Sequence, residues 1–216
     1  MSLSLSIESS TCVFADFSVE QLFGKAENER ISGIKNERRR QESLAGLVAL
    51  QKAVGNATEC EIQRDERGRP HFVRVVGIDF SISHSGSLSV AAVSEDHHRV
   101  GVDLELIRAD RAFLNERIAE RYFTEQEKKL LADSRSADDF YRIWTEKEAV
   151  AKLFGIGLSE LISHGGKIDG AEGLAVYRFV LTHGGERYFL TLCSDVESKV
   201  EIINGEDVSV CFIEKF

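Results

Sequence analysis

Apolar and polar residues alternate near the start of the chain, with Leu3, Leu5 and Ile7 set between Ser2, Ser4 and Ser6. That period of two predicts a strand with one face turned to a core. Residues 3–17 read as one or two strands, with Phe14 and Phe17 as core candidates. The period then lengthens. Residues 26–54 read as helix, broken near Ser32-Gly33, with Leu44, Leu47, Val48 and Leu50 as its apolar positions and Gly55-Asn56 as its stop. Cys60 to Arg64 is expected to form a short strand, and Asp65 to Pro70 a turn. Three β-like runs follow, at 72–83, 87–94 and 99–107. Only Glu95-Asp96-His97-His98 separates the last two, so they are expected to pair as an antiparallel hairpin. Residues 110–132 are predicted helical with a boundary near Phe123-Thr124, where Thr124-Glu125-Gln126-Glu127 has the form of a capping box. The clearest helix is 136–154, carrying Phe140, Ile143, Trp144, Val150 and Phe154 and ending at Gly155 and Gly157. After a connection containing Gly165-Gly166, strands are predicted at 174–182, 186–193 and 207–213, the first two joined by a Gly184-Gly185 turn. Helices and antiparallel hairpins in both halves make the fold class α+β rather than a doubly wound sheet.

Composition narrows the function classes. No apolar run approaches the roughly 20 residues that cross a bilayer, and the first residues lack the basic start of a signal peptide. The expected location is cytoplasmic, away from membranes. The 36 acids against 27 bases give a net charge of −9, which argues against a general nucleic-acid binder but leaves room for a local basic pocket. Cys12, Cys60, Cys193 and Cys211 are scattered, with no Cys-x-x-Cys and no histidine at zinc-ligand spacing, and read as free thiols.

Two segments carry the candidate chemistry. In Val100-Gly101-Val102-Asp103-Leu104-Glu105 the strand period sends Asp103 and Glu105 to one face, and Val102 and Leu104 to the other. In Trp144-Thr145-Glu146-Lys147-Glu148-Ala149-Val150-Ala151-Lys152 the helical period puts Glu148 and Lys152 on one face, a turn apart. A helix laid over the strand end would gather three carboxylates and one ammonium, a set suited to Mg²⁺ and a phosphorylated substrate. Upstream, Phe80-Ser81-Ile82-Ser83-His84-Ser85-Gly86 places its serines on one parity and His84 with Ile82 on the other, which makes a core histidine the ordinary reading. As an anion contact, a histidine among small hydroxyls is the stronger functional reading, since it can donate to phosphate without steric conflict.

In order along the chain, Gly68-Arg69-Pro70, Ser81 to Ser85, Val100 to Glu105 and Trp144 to Lys152 resemble the motifs of the 4′-phosphopantetheinyl transferases, in particular the large, surfactin-synthetase-activating type. Two positions depart from that pattern: Ser81 stands where asparagine is common, and Leu47 where an arginine often follows Leu-Ala-Gly. The resemblance implies two similar α+β halves about a pseudo-twofold, with residues 1–104 contacting the nucleotide of coenzyme A. Residues 105–216 would then bring the metal-binding and catalytic helix and the carrier-docking surface. It implies Mg²⁺ on Asp103, Glu105 and Glu148, with Glu148 and Lys152 catalytic. Arg69, Pro70, Ser83, His84, Lys152 and one of Arg39 or Arg40 would meet coenzyme A. Glu127 is either an acid near the metal or only a capping residue. The expected partners are coenzyme A and an apo acyl or peptidyl carrier protein, bound by a monomer. Arg117 and Arg121, lying among Phe113, Leu114, Ile118 and Tyr122, are candidates for carrier docking. A Mg²⁺-dependent phosphohydrolase using the same acids, or an inactive carrier-binding module, stays open at this point.

Overall fold

The computed structural model describes residues 2–11, 17–55, 60–134, 136–157, 160, 170–205 and 207–215. The readings placed on Cys12, Phe14, Asn56 and Gly165-Gly166 fall outside these residues, as does the side chain of Phe113. The first half runs β1 (Ser2–Ser9), α1 (Val19–Phe23), α2 (Lys25–Ser32), α3 (Glu37–Val54), β2 (Ile62–Arg64), β3 (Pro70–Phe72), β4 (Asp79–Ser85) and β5 (Leu88–Ser94). The second runs β6 (Val100–Leu106), α4 (Ala112–Tyr122), α5 (Glu125–Ser134), α6 (Ala137–Phe154), β7 (Ala175–His183), β8 (Glu186–Ser194), β9 (Lys199–Asn204) and β10 (Ser209–Lys215).

One topology is used twice. In each half a first strand leads through helices to a hairpin, and the second hairpin strand returns to pair antiparallel with the first: β4-β5-β1 in one sheet, β7-β8-β6 in the other. The two sheets share an apolar core built from Leu3, Leu5 and Ile7 on one side and Val102, Leu104, Leu190 and Leu192 on the other. Helices cover the outer faces. Leu47, Ala49 and Leu50 of α3 pack with Phe80, Ala91 and Val93, while Ala149 and Leu153 of α6 pack with Val176 and Cys193. β5 and β8 lie inside their sheets and bury both faces almost throughout, so they read as near-continuous apolar runs. β9 crosses over, pairing parallel with β1 of the first sheet, while β10 stays with β7 of the second. The α+β class with two similar halves is as expected.

Three local expectations change. β5 and β6 do not form a hairpin: β1 and β4 already occupy both edges of β5, so β6 pairs with β8 in the other sheet. Asp96 and His97, at φ 60 and 65, turn the chain between the sheets. The run read as 72–83 is two strands, β3 and β4, separated by a turn containing Gly77 at φ 85. β9 has no counterpart among the predicted strands, because four of its six residues are exposed and its apolar alternation is short. The predicted helix boundaries hold closely. Asn36 caps α3 by accepting from the Arg39 amide, and Gly155 ends α6 at φ 67. No helix among the described residues is long and apolar enough to cross a membrane.

Candidate active site

The site begins at a seam. β4 and β6 are the facing edges of the two sheets, and they are joined by side chains instead of a backbone ladder. Asp79 Oδ2 accepts from the Val100 amide at 2.9 Å. Ser81, Ser83 and Ser85 Oγ accept from the amides of Val102, Leu104 and Leu106 at 3.1, 3.3 and 3.0 Å, each 21 positions further on. An edge strand otherwise leaves such amides unsatisfied. The hydroxyl protons are then available to the acids: Ser83 donates to Asp103 Oδ1 at 2.8 Å and Ser85 to Glu105 Oε2 at 2.9 Å. The alternation Asp79-x-Ser81-x-Ser83-x-Ser85 was the available sequence signal for this seam.

Helix α6 supplies the other half. It lies so close on β6 that a Cβ at Gly101 would stand 2.0 Å from the Ala149 carbonyl oxygen and 2.7 Å from the Leu153 nitrogen. Only glycine permits this approach, and it brings the Glu148–Lys152 face over Asp103. Lys152 Nζ donates to Asp103 Oδ1 at 2.7 Å, Ser83 Oγ at 2.9 Å and the Val102 carbonyl at 3.2 Å. Asp103 is buried. Glu105 is pushed up to about 7 by burial and by the Asp103 charge, against hydrogen bonds from Ser85 and Trp144. Glu148 is also pushed up to about 7, by burial first, then by Asp103, with Lys152 opposing and Glu105 adding to the rise. Trp144 is thus a core residue whose polar edge reaches the acids.

Among the described residues, no three His, Cys, Asp or Glu side chains stand at metal-ligand spacing. The donors themselves fit a hard divalent cation. Asp103 Oδ2 is buried with no hydrogen-bond donor, and two neighbouring carboxyls are held partly protonated near neutrality by burial and mutual repulsion. A cation on their oxygens would relieve both conditions.

A cleft of about 570 Å³ opens beside this row. Arg69, Pro70, His84 and Lys152 line it, joined by Arg30, Arg64 and Arg67, which no sequence motif singled out. Arg69 donates to Asp79 at 2.6 Å and so ties the Gly-Arg-Pro turn to the start of the seam. His84 is half exposed on the cleft side of β4, not in the core, with Nδ1 3.7 Å from Glu42. Desolvation pushes its imidazole below the usual value; Glu42 opposes this, Lys152 and Arg39 add to it, and Asp103 opposes it in turn. Arg39 is therefore close enough to His84 to act on it. Arg40 pairs with Glu37 at 2.5 Å and lines a different hollow, with Phe17 and Ser18. Ser83 is buried behind the cleft, where it bonds Lys152 and Asp103.

Glu127 forms the capping box with Thr124, accepting from its amide at 2.6 Å, and it pairs with Lys147 at 2.9 Å. Its carboxylate thus serves the α5–α6 junction. On α4, Arg117 and Arg121 are exposed, the latter 5.5 Å from the Tyr122 ring centre, while Ile118 and Tyr122 pack inward. A hollow of about 200 Å³ between α4 and the seam is lined by Arg38, Arg108, Arg111, Ile118 and Trp144, and reaches Glu105.

Paired sheets, a carboxylate row at their seam and an arginine-rich cleft place the chain among α+β proteins with a charged site between two similar halves. The profile of the 4′-phosphopantetheinyl transferase superfamily matches residues 99–209, just over half of the chain, and the chain belongs to that superfamily. The matched region holds all three acids and Lys152; Arg69 and His84 precede it. Similar proteins include the 4′-phosphopantetheinyl transferase AcpT of Salmonella typhi, 33% identical over 133 residues that cover 58% of this chain and 64% of that one. The 4′-phosphopantetheinyl transferase ffp of Bacillus subtilis is 33% identical over 125 residues, 54% of this chain and 53% of its own. The 4′-phosphopantetheinyl transferase HetI of a Nostoc species is 36% identical over 88 residues, 39% of this chain and 36% of its own. The chain spans less than two thirds of each of these relatives.

Proposed function

We propose that the chain transfers the 4′-phosphopantetheine group of coenzyme A to a serine of an apo carrier protein, releasing adenosine 3′,5′-bisphosphate. The observation that carries the reading is Asp103 itself: one oxygen held by Lys152 and Ser83, the other buried without a donor, at the head of an arginine-lined cleft. In the reaction a serine Oγ–phosphorus bond forms, the bond from that phosphorus to the 5′-phosphate of the nucleotide breaks, and the hydroxyl proton leaves the serine. Mg²⁺ on Asp103, Glu105 and Glu148 would supply neutralisation of the pyrophosphate charge. Glu148 receives the serine proton, directly or through water. Lys152 offers a point charge to phosphate. Ser83 and Ser85 hold the two strand carboxylates in place, so the row is oriented before any ligand arrives.

The cleft with Arg69, Pro70 and His84 takes the nucleotide end, with Arg39 acting from beside His84, and residues 1–104 provide these contacts. Residues 105–216 provide the catalytic helix and the carrier surface. The hollow between α4 and Glu105 admits the carrier's serine, with Arg117 and Arg121 on the flank meeting acidic residues. The repeat of one topology within a single chain supports the large, surfactin-synthetase-activating type and a monomer, since both walls of the cleft come from one copy. Buried free Cys60 and Cys193 support a cytoplasmic setting.

The test is to incubate the protein with coenzyme A, Mg²⁺ and an apo carrier protein, and to weigh the carrier. A mass increase on its serine is expected. Adenosine bisphosphate released without carrier would make the protein a hydrolase, and no reaction would make it a binding module. Arg117→Glu with Arg121→Glu should raise the KM for carrier and leave the KM for coenzyme A alone; an unchanged carrier KM moves the docking surface elsewhere.

A further inference from the structure

Glu27 sits on α2, outside every motif, and is 3% exposed. A carboxylate so deeply buried is costly unless it is fully partnered. Arg30 provides a two-pronged partner, with Nε to Oε2 at 2.9 Å and Nη2 to Oε1 at 2.7 Å. Arg64, on β2, reaches the same Oε1 with Nη2 at 3.3 Å. Both arginines are 35% exposed, and their outward sides line the cleft that holds His84 and Lys152. Arg64 also donates through Nη1 to the Gly68 carbonyl at 3.0 Å, next to Arg69. Arg30 Nη1 has no protein partner among the described residues and remains available to a ligand.

The geometry points to Glu27 as a positioning residue. We propose that it clamps Arg30 and Arg64 together so that the cleft presents two fixed guanidiniums to a phosphate monoester on the bound nucleotide. Without the clamp two like charges this close would swing apart, and their N–H groups would lose the fixed directions that favour a dianion over a neutral hydroxyl. Lysines could not substitute, because a point charge has no second prong to spare for the ligand. The inference rests on the cleft being the nucleotide end of coenzyme A.

Calorimetric titration with coenzyme A and with dephospho-coenzyme A tests it without any turnover. Glu27→Gln should weaken coenzyme A binding about tenfold and dephospho-coenzyme A binding less than about threefold. In an Arg30→Ala, Arg64→Ala background the same substitution should change neither, because its effect passes through the two arginines. A purely structural Glu27 would weaken both ligands equally and would act in either background, which overturns the proposal. Glu27→Asp, which keeps the charge and shortens the reach, covers a failure of Glu27→Gln to fold, and should lie between it and the parent. If the parent binds coenzyme A and Glu27→Gln binds both ligands as well as the parent, only this inference fails. If the parent binds neither ligand, the transferase reading fails with it.

Discussion

Asp103 shows what a single buried carboxylate does for the residues around it. Its charge raises both Glu105 and Glu148, while Lys152 and Ser83 share its other oxygen. Asp103→Asn keeps the size of the side chain and removes the charge. On the proposed reading it should lower turnover by about a hundredfold or more, because a charged metal donor and the ion pair with Lys152 would be lost together. Rate measurements over a range of Mg²⁺ check this; near-normal rates at low Mg²⁺ would remove Asp103 from the site. The raised acids also have a thermodynamic sign. Between their ordinary value of 4.5 and their folded value of about 7, the native state holds more protons than the unfolded state. Stability of the chelator-treated protein should therefore fall as pH rises through that window. Thermal melts at stepped pH should show the fall, and Glu148→Gln should make it shallower. Added Mg²⁺ should oppose the fall at the upper end, since a cation favours the charged acids.

At the scale of elements, everything depends on how closely α6 lies on β6. Gly101→Ala should cost about 1–3 kcal/mol, because its Cβ would meet helix backbone that cannot step aside without moving Glu148 and Lys152. The expected result is a lower melting temperature and a turnover loss larger than the stability loss explains; normal turnover would show that the helix tolerates the shift. Ser83→Ala removes the acceptor of the Leu104 amide and a partner of both Lys152 and Asp103. Leaving that amide unsatisfied should cost about 1–3 kcal/mol, measurable by denaturant unfolding. Much of this was legible in the residues. The period of two placed Asp103 and Glu105 on one face, and the period of 3.6 placed Glu148 and Lys152 together. What could not be read was which edges meet. Ser81, Ser83 and Ser85 look like an ordinary polar face until β6 is set beside them. The clamp on Glu27 is equally silent in sequence, since Arg64 lies 37 positions away. The β5–β6 hairpin failed for a related reason: adjacency in sequence lost to a sheet whose edges were already filled.

The whole molecule is two copies of one topology, closed on one side by the serine seam and on the other by β9, which leaves its own half to lie beside β1. That crossing has a consequence in time. During synthesis β1, residues 2–9, emerges well before its parallel partner at 199–204. At translation rates of about 5–20 residues per second the interval is roughly ten to forty seconds. Throughout it, one edge of β1 has no neighbour, on a strand whose Leu3, Leu5 and Ile7 are destined for the core. Until β9 arrives the nascent chain is thus an open-edged sheet, a form prone to pairing with the wrong strand. Ribosome-bound chains stalled before residue 199 should remain sensitive to protease within β1, and chains stalled after β9 has cleared the tunnel should resist it. β9 is the latch that ends that vulnerable interval.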